Sequence, residues 1–118
     1  MEEYKQKYGV EDVIFYDAPC IIALVIDKKG DDVRGQYWHN MDAGIATGNI
    51  LTMATSYGLG TVPIGIANFL SQEVVLEGIG ADKEKENLLL VISFGYPVEG
   101  YNEKYLTEKK LTSFVKYV

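Results

Sequence analysis

The chain has 118 residues, which is enough for one domain with its own hydrophobic core. Its 17 acidic and 11 basic residues give a net charge of −6, which argues against a nucleic-acid-binding protein because phosphates need a basic surface. A single cysteine and a single histidine exclude a disulfide framework and a Cys/His zinc cluster. No secretory signal opens the sequence, so we expect a cytoplasmic protein.

Two elements are predicted before residue 30. Tyr4 and Tyr8, which are four residues apart among charged residues, favour a short amphipathic helix over the first dozen residues. Residues 20–26 form an apolar run rich in β-branched side chains, and a polar turn follows. This run predicts a strand buried on both faces. Cys20 opens the strand, so we expect an inert, buried thiol.

Residues 43–72 contain no charged side chain. Polar residues, glycines and a proline interrupt this segment, which excludes a transmembrane helix. We predict a helix that begins near Asn40 or Asp42 and stops before Gly58. Because no face of that helix is charged, one chain of this length cannot enclose it. We therefore expect a homodimer with this helix at the interface.

The second half of the chain adds three shorter elements. Residues 61–66 are predicted to be extended, and Pro63 marks an edge strand or a bulge there. Ser71 is a candidate cap for a helix that ends near Gly78. Residues 88–94 form a second continuous apolar run and predict another buried strand. Strands that alternate with helices predict an α+β fold with α/β-like layers.

Side chains for acid–base or nucleophilic catalysis are scarce. Gly58 and Gly60 follow a helix rather than a strand, so they do not form a dinucleotide-binding fingerprint. Any Ser/His or Cys/His couple would have to use His39, for which a position in a pocket wall or on the surface is the commoner role. An enzyme with this sequence would therefore depend on a cofactor for its reactive centre.

Several stretches, in this order, resemble the nitroreductase family of flavin-dependent oxidoreductases. They are Ala18-Pro19-Cys20-Ile21-Ile22, residues 42–51 with Ala54 and 58–61, Pro63-Ile64-Gly65, residues 89–97, and Lys109-Lys110-Leu111. The resemblance runs from about residue 13 to residue 115. It implies a single nitroreductase-like domain over residues 1–118, with a mixed sheet flanked by helices. The fold would be incomplete at the N-terminus, since the Arg-rich portion usual in the family is not matched.

The resemblance also implies a function. Members of the family are homodimers that hold FMN between the subunits and pass hydride from NAD(P)H to nitro compounds, quinones or similar acceptors. By this resemblance Pro63, Ile64 and Gly65 lie against the flavin ring, and Lys109, with Lys110 beside it, contacts the phosphate. Residues 101–118 carry a net charge of +2 on a body of −8. This tail is either a solvated end rich in lysine, which charge alone favours, or a segment that meets an anion.

A second interpretation stays open. Arg34 is the single arginine of the chain, and the Arg-rich portion of the family is not matched. The protein would then be a shortened, non-catalytic relative that dimerises or binds flavin or another flat ligand.

Overall fold

The computed structural model describes residues 6, 12, 14–29, 33–67 and 72–100 of the chain. Its helices and strands are β1 (Cys20–Asp27), α1 (Val33–Ser56), β2 (Gly60–Ile64), α2 (Gln72–Gly78) and β3 (Glu86–Gly95). Their alternation confirms the predicted α+β fold. Apart from Gln6 and Asp12, the helix predicted over the first dozen residues lies outside the described residues, as does Ser71.

The three strands form one sheet in the order β1-β3-β2. Both outer strands pair antiparallel with β3, so the predicted mixed sheet is antiparallel throughout the described residues. β3 lies in the centre of the described sheet, and it is the longest strand and the most buried one. The register between β1 and β3 shifts after Leu24, and Leu89 of β3 is the extra residue of this bulge. β2 lies at an edge, which agrees with the edge position predicted from Pro63.

The core lies between one face of the sheet and α2. Ala23, Val91 and Ile64 occupy one row across the three strands, and Val91 is fully buried. Val75 and Leu76 of α2 belong to the same buried cluster. α2 therefore holds β2 and β3 together, and its end at Gly78 confirms the predicted end of this helix.

α1 begins earlier than the sequence predicts but ends where expected. It starts at Val33, and the prediction of a start near Asn40 or Asp42 is wrong because no residue between 33 and 40 breaks a helix strongly enough to stop it. At its other end Gly58 has a φ of 74°. The N–H of Gly58 donates to the Thr55 carbonyl at 3.0 Å, and the next N–H donates to the Ala54 carbonyl at 3.0 Å. This is the Schellman arrangement, for which glycine is the usual residue.

The expectation that β1 is buried on both faces is wrong for its first three residues. Ile21 and Ile22 are 36% and 38% exposed, and Cys20 is exposed as well. These residues begin an edge strand, and the described helices cover only its second half. The Cys20 thiol is therefore accessible rather than buried.

α1 lies beside the covered half of β1. His39, Ala43 and Ala46 of the helix border a cavity together with Leu24 and Leu89 of the sheet. Ala54, near the other end of the same helix, is buried. Within the part of the chain that the structure describes, no helix is long and apolar enough to cross a membrane.

Candidate functional site

The residues predicted to contact the ring lie at the end of β2, and together we call them the ledge: Pro63, Ile64 and Gly65. Ile64 is only 5% exposed and belongs to the core cluster, so its side chain anchors the ledge and only its backbone can face a ligand. Pro63 and Gly65 on either side of it are exposed. A Cβ added to Gly65 would meet no atom within 4 Å. The space beside Gly65 is therefore open to a ligand.

β2 is an edge strand of the described sheet, so the backbone of the ledge has an outer side that no described strand covers. Pro63 stands opposite Ile92 of β3, and no described strand lies on the other side of β2. An edge strand presents unpaired N–H and C=O groups on its outer side, and proline removes one of those donors. A flat molecule can therefore approach the ledge, and backbone groups can hydrogen-bond to its rim.

The predicted phosphate contacts, Lys109 and Lys110, lie outside the described residues. The four lysines that the structure does describe lie in the turns after β1 and before β3. There the Nζ of Lys28 donates to the Lys83 carbonyl at 2.7 Å. These lysines adjoin Glu86, at the other end of β3 from Gly95. The assignment of the phosphate contact to the tail stays a prediction.

One side of α1 exposes large apolar side chains. Tyr37, Met41 and Ile45 follow one another at intervals of four residues and are between 42% and 66% exposed. Residues at this spacing lie along one side of a helix. Gly48 lies in the same stretch and has open space above it. The helix that we predicted to have no charged face therefore presents an apolar surface that no described element covers, and we call this surface the α1 outer face.

A turn that the sequence did not predict precedes β1. Tyr16 and Asp17 have φ angles of 58° and 52°, a conformation that residues other than glycine rarely adopt. The Asp12 carboxylate accepts hydrogen bonds from the N–H groups of Ile14 and Phe15 at 2.8 and 3.1 Å. The Asp12 N–H donates to Oδ1 of Asp17 at 2.8 Å. The aspartates tolerate such turns, but nothing in the sequence marks the tyrosine for one.

His39 has the pocket-wall position expected for it. Its side chain borders the cavity of about 270 Å³ between α1 and the sheet, together with Asp42. Its Nδ1 atom is buried and has no hydrogen-bond partner among the described residues. In the described residues no group of three His, Cys, Asp or Glu side chains is placed to hold a metal.

The described loop before β3 contains one clearly perturbed carboxyl group. The Glu84 N–H donates to Oδ1 of Asp82 at 3.0 Å, and this bond lowers the pKa of Asp82 below its ordinary value. Nζ of Lys85, 3.2 Å from Oδ2 of Asp82, lowers the pKa further. Asp82 is exposed and borders neither described cavity, so its role is to hold the loop.

Comparisons with known proteins place this arrangement in context. Residues 1–96 match the model of the nitroreductase family. The fold is similar to the crystal structure of the FMN-dependent nitroreductase NfnB from Mycobacterium smegmatis in complex with NADPH, with a TM-score of 0.73 and 22% sequence identity. That similarity covers 98% of this chain and 50% of NfnB, so the chain spans half the length of that protein. A search of curated proteins finds no match.

Proposed function

The chain belongs to the nitroreductase family, and on that basis we propose that it is an FMN-dependent oxidoreductase. It would pass hydride from NAD(P)H to a nitro compound, a quinone or a similar acceptor, in the cytoplasm. The observation that carries the proposal is the open ledge at Pro63, Ile64 and Gly65. The similar fold of an FMN-dependent nitroreductase in complex with NADPH supports both the cofactor and the hydride donor.

The ledge fits one face of a flavin ring. Gly65 has no side chain, and the space where one would stand is empty, so a planar ring can come close to the backbone. Pro63 offers a rigid apolar surface at the same level, and the buried Ile64 side chain fixes the backbone between them. FMN, when bound, supplies the hydride chemistry. The residues of the ledge bind and orient the ring.

The phosphate of FMN requires cations that the body of the chain does not supply. Residues 1–100 carry a net charge of −8, which repels a dianion unless positive side chains stand close to it. We assign this contact to Lys109, with Lys110 as its neighbour. Lysine is a point charge without the bidentate fork of arginine, so the phosphate should be held more weakly and with more salt sensitivity than by arginine.

A second copy of the chain is part of the proposal. The α1 outer face, with Tyr37 and Ile45 about 60% exposed or more, is too apolar to stay in water without a partner. A two-fold axis would place the same face of each copy against the other. The homodimer would then cover this face and shield the bound ring from water.

The alternative is a non-catalytic relative that dimerises or binds a flat ligand. The observation that favours it is the scarcity of arginine. With Arg34 as the single arginine, the phosphate would depend on lysines. Such a protein would keep the fold and the α1 outer face but would hold FMN weakly or not at all.

Retention of FMN separates the two functions. The purified full chain is mixed with FMN, passed through a gel-filtration column, and the protein peak is examined for the absorbance of oxidised flavin. An oxidoreductase carries the flavin with it and oxidises NADPH when a quinone is added. A colourless protein peak, or a coloured one that leaves NADPH untouched, would establish the non-catalytic alternative.

A further inference from the structure

A cavity of about 430 Å³ lies at the end of the sheet where β2 begins and β3 ends. Small-molecule sites commonly have volumes of roughly 300–1,000 Å³. The turn containing Tyr16 and Asp17 forms one wall, and Tyr96, which follows β3, borders the other side. None of Pro63, Ile64 and Gly65 lines this cavity, which reaches along β2 only as far as the neighbouring Val62.

One wall of the cavity is strained and firmly held. Tyr16 and Asp17 both have positive φ angles, and each such residue costs free energy. The Asp12 carboxylate accepts two hydrogen bonds in the turn, and the Asp12 N–H donates a third to Asp17. A fourth runs from the Ala18 N–H to the Phe15 carbonyl at 3.1 Å, and together they fix the turn. Strain of this kind persists where the surroundings enforce it, and it is concentrated at ligand sites.

The lining of the cavity is suited to a planar ring. Its lining includes the aromatic and proline residues Phe15, Tyr16, Pro19, Tyr96 and Pro97. Flat aromatic ligands stack on or against such side chains. The lining therefore selects for a ring rather than for an extended chain.

Two polar residues in this apolar lining can hydrogen-bond to a ligand and so fix its orientation: Asp17 and Ser93. The Asp17 carboxylate can accept several hydrogen bonds, the one from Asp12 included. Ser93 is 4% exposed, and its Oγ lies 3.5 Å from the Val62 carbonyl, which is long for a hydroxyl hydrogen bond. The cavity thus offers a charged acceptor and a weakly engaged hydroxyl donor.

We propose that this cavity binds a planar heterocycle that carries an amino group, with adenine as the representative ligand. The exocyclic amine donates to Asp17, and a ring nitrogen accepts from the Ser93 hydroxyl. Both the Asp17 carboxylate and the net charge of −8 on residues 1–100 favour a neutral ring over an anion. The site does not depend on the proposed flavin function, because it uses none of the ledge residues.

The test compares adenosine with inosine on the flavin-free chain by NMR titration. The two nucleosides share the sugar and the fused ring, but inosine has an oxygen in place of the amine and would face Asp17 with a second acceptor. We expect adenosine to shift the amide resonances of Gly95 and Tyr96 and to bind at least about tenfold more tightly than inosine. Equal affinities, or shifts confined to residues away from the cavity, would overturn the proposal.

A matched pair of variants identifies the recognising group. Asp17→Asn keeps an oxygen for the Asp12 N–H and suits a positive φ, while its amide offers a donor to inosine. We expect this variant to lose the preference for adenosine. Asp82→Asn, at another exposed aspartate that accepts a backbone N–H, should keep the preference. If both variants keep it, or both lose it, Asp17 is not the recognising group and the proposal fails.

Competition against bound adenosine identifies which adenine-containing molecule the site binds. AMP and NADPH present the same adenine ring, but NADPH also carries the hydride-donating end. Displacement at a lower concentration of NADPH assigns the site to the dinucleotide, and displacement at a lower concentration of AMP assigns it to a free adenine nucleotide. Failure of both to displace bound adenosine assigns the site to an uncharged adenine compound, because Asp17 and the net charge of −8 on residues 1–100 disfavour phosphates. Should Asp17→Asn not fold, the comparison of adenosine with inosine on the parent chain still decides the question.

Discussion

Gly65 allows a test of the ledge, and Gly78 is its matched control. A Cβ added at either position would meet no atom within 4 Å, and neither has a positive φ, so valine is tolerated by the fold at both. We predict that Gly65→Val lowers FMN affinity at least about tenfold, because its methyl groups would occupy the place of the ring. FMN fluorescence titrations measure this loss, and thermal melts check that both variants stay folded. An equal loss of affinity in Gly78→Val would contradict the assignment of the ledge.

Lys109 provides a second test at the level of single residues. If its ammonium group contacts the phosphate, Lys109→Ala should weaken FMN binding and flatten the dependence of the affinity on salt. Lys104→Ala, in the same basic tail, is the control and should change neither quantity. Titrations at low and moderate salt measure both. An unchanged affinity and salt slope in Lys109→Ala would mean that this lysine does not touch the phosphate.

Asp82 gives a prediction that concerns pH. Its pKa is lowered first by the hydrogen bond from the Glu84 N–H and then by Lys85. A lowered pKa means that the ionised carboxylate stabilises the loop above the ordinary pKa of an aspartate, and that this contribution is lost as pH falls through the lowered value. An NMR titration of the Asp82 carboxyl carbon should give a midpoint below the ordinary value. A midpoint at or above it would contradict the hydrogen-bonded loop.

Single residues also show where a sequence is informative. The conformation of Gly58 was predictable, because a glycine after a long apolar segment usually ends a helix. Its φ of 74° agrees with that position. In contrast, the sequence around Tyr16 does not predict the turn in which this residue lies. Its positive φ is enforced by Asp12 and the hydrogen bonds around it, and such a tertiary effect leaves no mark on the tyrosine itself.

At the scale of elements, α1 carries the prediction about assembly. Ile45 is 60% exposed on the α1 outer face, whereas Ile50 is half-buried against its own chain. We therefore predict that Ile45→Asp dissociates the dimer, since it would bury a charge in an apolar interface. Val74→Asp, at a valine of α2 that is 72% exposed, is the control and should not change the assembly. Sedimentation measures both, and a monomeric parent protein would contradict the assignment of this face.

The elements differ in how well periodicity predicted them. The apolar runs at 20–26 and 88–94 correspond to β1 and β3, because a short run of β-branched side chains bounded by turns fits a strand. The burial of β1 was predicted less well. A continuous apolar run shows that a strand is to be covered, but the position of the helices that cover it is set by contacts far apart in sequence. The start of α1 was missed because Asn40 and Asp42 are good cap residues, whereas no residue between 33 and 40 is a strong enough helix breaker to end the helix there.

At the scale of the whole molecule, the family was accessible from sequence and the reaction was not. The order of the motifs around Asp42, Pro63 and Gly95 indicated the nitroreductase family, and the match over residues 1–96 confirms it. Composition and spacing alone gave only an α+β domain without its own catalytic groups. A site that works through a cofactor leaves little signal, since a glycine, a proline and backbone groups suffice to hold a ring. The aromatic cavity beside Asp17 was not predicted at all, because its walls come from three distant segments.

The central claim is that this chain binds FMN and directs hydride from NAD(P)H onto it. The most direct measurement is the rate at which NADPH bleaches the flavin absorbance of the FMN-loaded full chain without oxygen, compared with free FMN at the same concentration. We expect faster bleaching on the protein and return of the colour when a quinone is added. Bleaching no faster than that of free FMN, with FMN shown to be bound, would contradict it.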